Sequence, residues 1–410
     1  MENQVKKNLS DKEITNYTAT LWKYKAVPSK NSVPEPAPEY LHENHTIGKF
    51  RVTAARVRGK KHKHDGSNCD DWFETDNING IFVSIVSDGA GSKKFSRIGS
   101  ATACKAARYF LKIHLEKLFK TSPNFLSDLS RDMTDFTFSD AARLLANIVQ
   151  DSILAAREAI VTAYESRRNY ERYINVVGRS LQLSDFSCTL LLTVAVPLPE
   201  IGETLILSCQ IGDGITAAIN TKETFDKAVT LLGVPDSGKF SGETDFLTNS
   251  KFAIKENLIN RTKLSRKSID LILSMTDGVA DDYDPNELHM RRLYFDLLIN
   301  HILPLPKNAS YSKEIEVPEP RAYPKQNGSK NPEFVPIQYT GDLCEMHNLT
   351  LNQIWENREP LYAMADKISF NEHTNTSSRL QEWLDNYTVR GSFDDRTLVI
   401  FYKEGDDDEY

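Results

Sequence analysis

Short acidic motifs lie where several strand-like apolar runs of this chain begin or end, although aspartate is disfavoured within strands. The run 81–86 leads into Asp88, and the run 269–275 leads into Asp277. The motifs are Cys69-Asp70-Asp71-Trp72, Ser87-Asp88-Gly89-Ala90-Gly91, Gly212-Asp213-Gly214, Thr276-Asp277-Gly278 and Phe393-Asp394-Asp395-Arg396-Thr397. Clustered carboxylates repel each other unless cations neutralise them. A fold in which the strand ends bring several carboxylates together therefore predicts a site for hard divalent metals.

The order of the segments predicts an α+β fold, because strands occur in hairpin-like groups and helices in separate blocks. Apolar runs predict strands over 50–58, 81–86, 187–196, 204–211, 215–219, 269–275 and 397–402. Helical spacing of apolar residues predicts helices over 11–24, 96–120, 139–170, 286–302, 350–368 and 376–386. We expect 215–219 to form a hairpin with 204–211, and Ser139 and Asp140 to cap the helix that begins there.

Composition divides the chain into three parts. Residues 1–49, which include a proline-rich stretch, predict a peripheral N-terminal extension and linker. Residues 50–403 form the predicted globular domain, with helical insertions at about 120–180 and 285–390, and 404–410 form an acidic tail. Within the domain, the basic run 60–66 is expected to be a solvated loop and 303–338 a mobile loop.

Charge and apolar content exclude several classes of protein. The net charge of −7 and the pI near 5.8 argue against nucleic acid as the main partner. No apolar run reaches the roughly 18 residues that span a bilayer, and the charged N-terminus lacks the apolar core of a signal peptide. The five cysteines are widely spaced without a CxxC pair, so we expect a cytoplasmic protein with free thiols and no membrane partner.

Two further motifs have weaker interpretations. Residues 233–239 have the glycine and lysine spacing of a nucleotide-binding P-loop, but Phe240 stands where a magnesium-binding hydroxyl is needed. His62, His64 and Cys69 could bind zinc, but no fourth ligand has suitable spacing. We therefore favour a solvated basic loop at the histidines and disfavour a P-loop at 233–239.

The acidic motifs, taken in order, resemble those of the metal-dependent protein phosphatases (the PPM, or type 2C, serine/threonine phosphatases), especially the bacterial branch. The resemblance covers about 50–402. It includes Arg58-Gly59 with His62 and Gly66, Asp185-Phe186-Ser187-Cys188-Thr189, Gln210-Ile211 and Gly242-Glu243-Thr244-Asp245-Phe246-Leu247-Thr248. The resemblance implies an α-β-β-α architecture, in which two antiparallel β-sheets form a sandwich flanked by helices and metals sit at one edge.

The same resemblance implies the ligands. Asp88 would bridge two metal ions, Asp71 would support their bound waters, and Asp213 with Asp277 could hold a third ion, as in some members. All-oxygen ligation favours Mg²⁺ or Mn²⁺. The complete implied set of metal ligands is Asp70, Asp88, the carbonyl of Gly89, Asp213, Asp277 and Asp394.

Three positions depart from the family pattern. Many members carry glutamate where this chain has Asp70, and many carry a phosphate-binding arginine where it has Gly66. Some members carry a histidine that acts as general acid where this chain has Ala90. The leaving group would then take its proton from metal-bound water or from His62. The charge that binds phosphate is expected from Arg58, Lys61, His62, Lys63 or His64.

The implied activity is serine/threonine phosphoprotein phosphatase chemistry, in which a metal-activated water attacks phosphoserine or phosphothreonine in line. The candidate catalytic residues are Asp88, Asp71 and His62, and the implied partners are a phosphorylated protein substrate and a cognate serine/threonine kinase. A two-metal nuclease is disfavoured by the acidic balance.

A catalytically silent module that keeps the fold and binds phosphorylated partners is the alternative interpretation. Gly66 and Ala90 favour it. Retention of Asp88, Asp277 and Asp394 favours the enzyme, because a silent module has no need of converging carboxylates.

Overall fold

Two antiparallel sheets stack face to face in the computed structural model, and helices cover both outer faces. The structure describes residues 22–30, 32–233, 244–325, 333–368, 375–388 and 393–404. The predicted α+β sandwich, with the layer order α-β-β-α, is confirmed.

The first sheet has six strands and contains both ends of the described domain. Its members are β1 (Tyr40–Ile47), β2 (Phe50–Val57), β7 (Ile215–Ile219), β8 (Val229–Leu231), β10 (Leu271–Met275) and β13 (Arg396–Lys403). They lie in the order β1-β2-β13-β10-β7-β8. Met275 at the end of β10 pairs with Ile215 on one side and with Leu398 on the other, so three acidic motifs lie at one edge of this sheet.

The second sheet has five strands. They are β3 (Trp72–Ile78), β4 (Ile81–Ser87), β5 (Leu190–Leu198), β6 (Glu203–Ile211) and β9 (Thr262–Lys267). Their order is β3-β4-β5-β6-β9. A separate hairpin joins β11 (Arg321–Pro324) to β12 (Phe334–Ile337).

Aromatic stacking joins the two sheets. The ring of Phe82 on β4 stacks on Phe401 of β13 at 4.5 Å between centroids, and Phe401 stacks on Phe50 at 4.3 Å. Every residue of β4 is buried, since one face meets the other sheet and the opposite face meets helices. This double burial explains why the strand reads as a continuous apolar run.

Helices cover the outer faces of the sandwich. In chain order they are α1 (Lys60–Asp65), α2 (Ser96–Thr121), α3 (Phe125–Leu129), α4 (Phe136–Glu165), α5 (Glu171–Val177), α6 (Glu256–Ile259), α7 (Asp277–Ala280), α8 (Asn286–Ile299), α9 (Thr340–His347), α10 (Leu351–Glu356), α11 (Glu359–Ala365) and α12 (Thr376–Asn386). The long helices α2 and α4 pack on the second sheet, and α8 and α12 pack on the first. No helix among the described residues is both long and apolar enough to span a bilayer.

Two local predictions were wrong in detail. Helix α4 begins one turn earlier than expected, because the Asp135 carboxylate accepts a hydrogen bond from Thr137 N at 2.7 Å and caps it in place of Ser139 and Asp140. Strand β7 is not the hairpin partner of β6, since β6 already pairs with β5 and β9. The turn at Gly212, with φ of 114°, instead carries the chain from the second sheet to the first.

The basic run 60–66 is not a solvated loop, because most of it forms α1 with partly buried charges. The Lys60 ammonium donates to Thr388 Oγ1 at 2.7 Å, and Lys63 forms an ion pair with Asp385. Both partners lie more than 300 residues away in sequence, so the local composition gave no sign of them.

The boundary predicted at residue 50 was also wrong, because β1 pairs residue for residue with β2 inside the first sheet. The helix predicted over 11–24 lies mostly outside the described residues, and 22–24 are not helical. The helix predicted over 350–368 is the pair α10 and α11, and the predicted loop 303–338 contains β11 and β12. Of the acidic tail, only Glu404 is described, and the P-loop-like segment lies outside the described residues beyond Gly233.

Candidate metal centre

Three carboxylates from three different chain turns meet at one edge of the sandwich. Asp88 follows β4, Asp213 lies between β6 and β7, and Asp277 begins α7 directly after β10. One oxygen from each lies within 4.8 Å of the others, close enough to hold a single metal ion. The two sheets contribute together, because Asp88 comes from the second and Asp277 from the first.

The turn at Asp88 is held by backbone pairing with the segment before β5. Asp88 N donates to Thr189 Oγ1 at 2.8 Å, Thr189 N donates to Asp88 O at 2.8 Å, and Ala90 N donates to Ser187 O at 3.0 Å. A Cβ at Gly89 would lie 2.5 Å from the carbonyl oxygen of Asp70, so only glycine permits this approach. The turn therefore brings the Asp88 and Asp70 motifs together.

A second close approach joins the Asp277 and Asp394-Asp395 motifs. A Cβ at Gly278 would lie 1.9 Å from the carbonyl oxygen of Asp395. Gly278 N donates to the Asp277 carboxylate at 2.7 Å, which fixes that side chain at the start of α7. The Asp-Gly pairs are thus required by packing between motifs as well as by the turns themselves.

Asp71 lies fully buried behind these carboxylates. Its Oδ2 accepts hydrogen bonds from Thr276 Oγ1 at 2.9 Å and from Thr397 Oγ1 at 2.6 Å. Its Oδ1 is buried and has no hydrogen-bond partner among the described residues, and the same holds for Asp213 Oδ1. Buried carboxylate oxygens rarely lack partners, so these two oxygens fit a site that holds cations and their waters.

Burial and mutual repulsion disfavour the charged carboxylates when no cation is present. Burial, followed by the charges of Asp277 and Asp71, raises the pKa of Asp88 well above its usual range. Burial and the charge of Asp213 do the same to the pKa of Asp277. Burial and the charge of Asp395 raise the pKa of Asp70 and of Asp71 to about 7. A divalent cation would reverse these shifts.

A buried histidine lies beside this group. His62 Nδ1 is 2.9 Å from Asp395 Oδ2, and His62 Nε2 is 3.9 Å from Asp70 Oδ2. Although burial opposes it, the charge of Asp395 raises the pKa of His62 to about 10. Burial would raise the pKa of Asp395, but His62 and the hydrogen bonds that the carboxylate accepts lower it. The pair is therefore an imidazolium and a carboxylate at neutral pH.

Asp394 belongs to a second group of candidate metal ligands. Its oxygen groups with His62 and Asp395 within 4.8 Å, and the three-carboxylate group contains Asp213 instead. The charge of Asp394 nonetheless raises the pKa of Asp88 and of Asp277, so it lies near both. Its role as a ligand of the first metal remains a prediction.

The candidate phosphate-binding residues Lys61 and Arg58 lie in different environments. Lys61 is exposed on α1, and its backbone N donates to Phe393 O at 2.9 Å, beside the Asp394 motif. Arg58 does not fit the role predicted for it, since its guanidinium is buried and donates to Ser67 O at 3.1 Å and Lys25 O at 2.5 Å. The N-terminal segment that encloses Arg58 has the composition of a peripheral linker, which is why the prediction failed.

The zinc alternative gains no support. The groups suited to a metal in the described part of the chain are the two given above, and Cys69 belongs to neither. All five cysteines are free thiols, as expected.

Asp281 is a nearby carboxylate that sequence reasoning missed. Burial and the charge of Asp213 raise the pKa of Asp281, and its own charge raises the pKa of Asp277. The signal was its position four residues after Asp277, which is one helical turn along the chain. Asp281 thus lies near Asp213 and Asp277.

Solved structures with detectable similarity include two phosphatases and RsbX, all of low identity. A bacterial serine phosphatase is 12% identical, with 87% of this chain and 98% of that chain covered and a TM-score of 0.37. Serine-threonine phosphatase 2C from Toxoplasma gondii is 12% identical, with 90% and 100% covered and a TM-score of 0.41. RsbX in complex with magnesium is 9% identical, with 89% and 100% covered and a TM-score of 0.34.

The family assignment rests on sequence. No curated protein matches the chain. The family described as Protein phosphatase 2C matches residues 58–307, which is more than half of the 410 residues. This chain belongs to the protein phosphatase 2C family.

Proposed function

We propose that this protein is a metal-dependent phosphatase that hydrolyses phosphoserine and phosphothreonine in protein substrates. The observation that carries the proposal is the convergence of Asp88, Asp213 and Asp277 within 4.8 Å. Family membership supports it, because members are typically phosphoprotein phosphatases. A serine/threonine kinase that makes the phosphorylated substrate is the expected functional partner.

The donor set suits Mg²⁺ or Mn²⁺, because every candidate ligand is an oxygen. Asp88 would be shared between two ions, with the Gly89 carbonyl on one of them and Asp70 near the other. Asp277 and Asp394 would complete the first site, and Asp213 with Asp277 would hold a third ion. When bound, the ions supply an activated water nucleophile and neutralise charge on the phosphoryl oxygens.

Asp71 would act as an acceptor that orients water in the centre. Its Oδ2 is occupied by the hydroxyls of Thr276 and Thr397, whereas its Oδ1 has no partner among the described residues. A carboxylate held in this way can accept a hydrogen bond on one defined side. Asp71 therefore orients the nucleophile without binding phosphate.

Lys61 and His62 would supply the positive charge. Lys61 is exposed and its backbone contacts the Asp394 motif, so its ammonium is a candidate to pair with a phosphoryl oxygen of a bound substrate. His62 is buried, and its protonated ring lies beside Asp70, where it offsets part of the negative charge. Ala90 has no proton to give, so the leaving group takes one from His62 or from water held in the centre.

A silent module that only binds phosphorylated partners is the rival function, and the half-buried, mutually repelling carboxylates argue against it. A module that only binds phosphorylated partners would gain nothing from carboxylates whose pKa values are raised by burial and repulsion. The missing arginine at Gly66 and the missing acid at Ala90 are the features that favour this rival.

The decisive experiment compares wild type with Asp277→Asn in Mn²⁺-dependent hydrolysis of para-nitrophenyl phosphate and of a phosphothreonine peptide. We expect the variant to lose activity by about 10²-fold or more, as for loss of a metal ligand in a catalytic site. Asp270→Asn is the matched control, because Asp270 lies at the opposite end of β10 and its carboxylate accepts from Thr221. Equal rates in all three proteins would remove the enzyme hypothesis.

A further inference from the structure

The described part of the N-terminal segment runs along the metal centre rather than away from it. Residues 22–30 and 32–38, here called the N-terminal strap, reach α1, the Asp70 motif and the Asp394 motif. Lys25 N donates to Lys63 O at 2.8 Å, and Ala37 N donates to Asn68 Oδ1 at 3.0 Å. The indole of Trp22 lies 4.7 Å from the ring of Phe393.

Arg56 joins the strap to the loop that carries Asp70 and Asp71. Its guanidinium is fully buried. Nη2 donates to Pro38 O in the strap at 2.8 Å, and Nη1 donates to Asp71 O at 2.7 Å. A single side chain therefore fixes the distance between the strap and the backbone of a candidate catalytic residue.

Arg58 makes the same kind of bridge to the start of that loop. Nη2 donates to Lys25 O in the strap at 2.5 Å, and Nη1 donates to Ser67 O at 3.1 Å. With the Ala37–Asn68 hydrogen bond, the strap thus reaches the loop 67–71 at three separate points. The arginine expected to bind phosphate holds the ligand loop instead.

Arg97 makes a similar bridge between the strap and the turn that follows Asp88. Nη2 donates to Pro34 O at 2.6 Å and Nε donates to Glu35 O at 2.9 Å, both in the strap. Nη1 donates to Lys94 O at 2.5 Å, in the turn that follows Asp88 and Gly89. The strap therefore contacts both loops that carry candidate ligands of the second metal.

Each of these three guanidiniums donates to at least one carbonyl of the strap, although Arg58 Nη2 also lies 3.4 Å from Glu39 Oε1 outside it. The Nε atoms of Arg56 and Arg58 are already buried without a partner in the described chain. Loss of the strap carbonyls would leave further buried donors of a charged group unpaired, which is strongly unfavourable. The loops 67–71 and 89–94 would shift until water or other carbonyls satisfied those donors.

We propose that the N-terminal strap is a positioning element of the metal centre, and that Arg56, Arg58 and Arg97 transmit its position to the loops carrying Asp70, Asp71 and Asp88. The proposal rests on the metal centre of the proposed function. It predicts that metal affinity depends on strap contacts that lie outside the ligand loops.

Glu35 is a residue through which the strap can be loosened without substituting any candidate metal ligand. Its carboxylate accepts hydrogen bonds from Arg167 Nε at 2.6 Å and Nη2 at 2.9 Å, in the turn after α4, and from the Tyr173 hydroxyl of α5. Glu35 belongs to none of the groups of candidate metal ligands found among the described residues. Its side chain therefore anchors the strap to the helices, and its carbonyl holds Arg97.

The test is a calorimetric titration of the full-length, metal-stripped protein with Mn²⁺. We expect Glu35→Ala to raise the Kd for Mn²⁺ by about 10-fold, at the low end of effects known for residues beyond the ligands. Glu35→Gln should raise it less, because its amide oxygen keeps one hydrogen bond from Arg167. Glu203→Ala is the matched control, since Glu203 pairs with Arg266 Nε at 2.9 Å on the second sheet, and its Kd should equal that of wild type.

Near-UV circular dichroism monitors the fold of each variant. If Glu35→Ala does not fold, the Kd of Arg97→Lys for Mn²⁺ tests the proposal instead. A lysine ammonium cannot reproduce the planar bridge between the strap carbonyls and Lys94 O. An unchanged Kd in the folded strap variants would overturn the strap proposal alone. No Mn²⁺ binding by wild type would overturn the metal centre and the strap proposal together.

Discussion

His62 and Asp395 form a buried ion pair, with His62 Nδ1 lying 2.9 Å from Asp395 Oδ2. The same carboxylate accepts hydrogen bonds from Asp70 N and from Gly59 N, both at 2.6 Å. One side chain at the start of the last strand therefore fixes the histidine and the backbone on both sides of α1. Asp395 itself is buried, so it acts by holding its neighbours.

The first prediction concerns this ion pair. In Asp395→Asn, His62 loses the charge that raises its pKa to about 10, so its pKa should fall and the ring should become neutral at a lower pH. If the imidazolium assists catalysis, the variant should lose kcat as pH rises through neutrality, whereas wild type keeps it to higher pH. A pH profile of kcat at saturating Mn²⁺ checks this, and superimposable normalised profiles would contradict it.

The second prediction concerns the stability of the metal-free protein. Asp277 has a pKa well above its usual value in the folded state, so the folded chain binds a proton that the unfolded chain releases near pH 4. Its contribution to the free energy of unfolding therefore falls as pH rises above about 4.

Urea unfolding in EDTA at pH 5 and pH 7.5 measures this effect. The stability of Asp277→Asn relative to wild type should increase with pH, because the asparagine has no proton to lose. Addition of Mg²⁺ at pH 7.5 should stabilise wild type more than the variant. A relative stability that stays constant or declines with pH would be inconsistent with a buried, repelled carboxylate.

The third prediction concerns the two hydroxyls that donate to Asp71. Thr276→Val and Thr397→Val each keep the side-chain shape and remove one donor to a buried carboxylate. Each should cost about 1–3 kcal/mol in the free energy of unfolding, and the double variant should lower kcat more than it changes KM. Thr162→Val on the exposed face of α4, where the hydroxyl donates to Glu158 O, should have little effect. Wild-type stability in both site variants would count against the assigned hydrogen bonds.

The fourth prediction concerns the close approach between motifs. Gly278→Ala would place a Cβ 1.9 Å from Asp395 O, so the backbone must move. We expect destabilisation of at least about 1–3 kcal/mol and weaker Mn²⁺ binding. Gly341→Ala in α9 is the control, because its Cβ would meet no described atom within 4 Å. Thermal unfolding of both variants checks the difference, and a tolerated Gly278→Ala would contradict the packing described here.

The fold was predictable because its signals are local. The fully buried strand β4 and the helix α2 both read clearly from apolar spacing. The assignment of β7 to the wrong sheet had a physical cause. A two-strand hairpin and a crossover between stacked sheets both need a short glycine-containing turn. The two connections are distinguished only by the pairing of β6, whose two edges are already paired with β5 and β9.

The candidate centre was predictable only where carboxylates end strands. Asp88 and Asp277 stood out for that reason, and Asp213 joined them as the third member of one group. The role predicted for Arg58 was wrong because the segment that buries it carries no apolar periodicity and has the composition of a linker. Asp281 was missed because its proximity to Asp213 depends on tertiary packing.

We propose that this protein binds metal ions through Asp88 and uses them to hydrolyse phosphate esters. A crystal soaked in Mn²⁺ and measured at the manganese absorption edge tests it most directly. We expect two anomalous peaks that share Asp88, one of them also contacting Asp277. Absence of anomalous density beside Asp88 at saturating Mn²⁺ would contradict it.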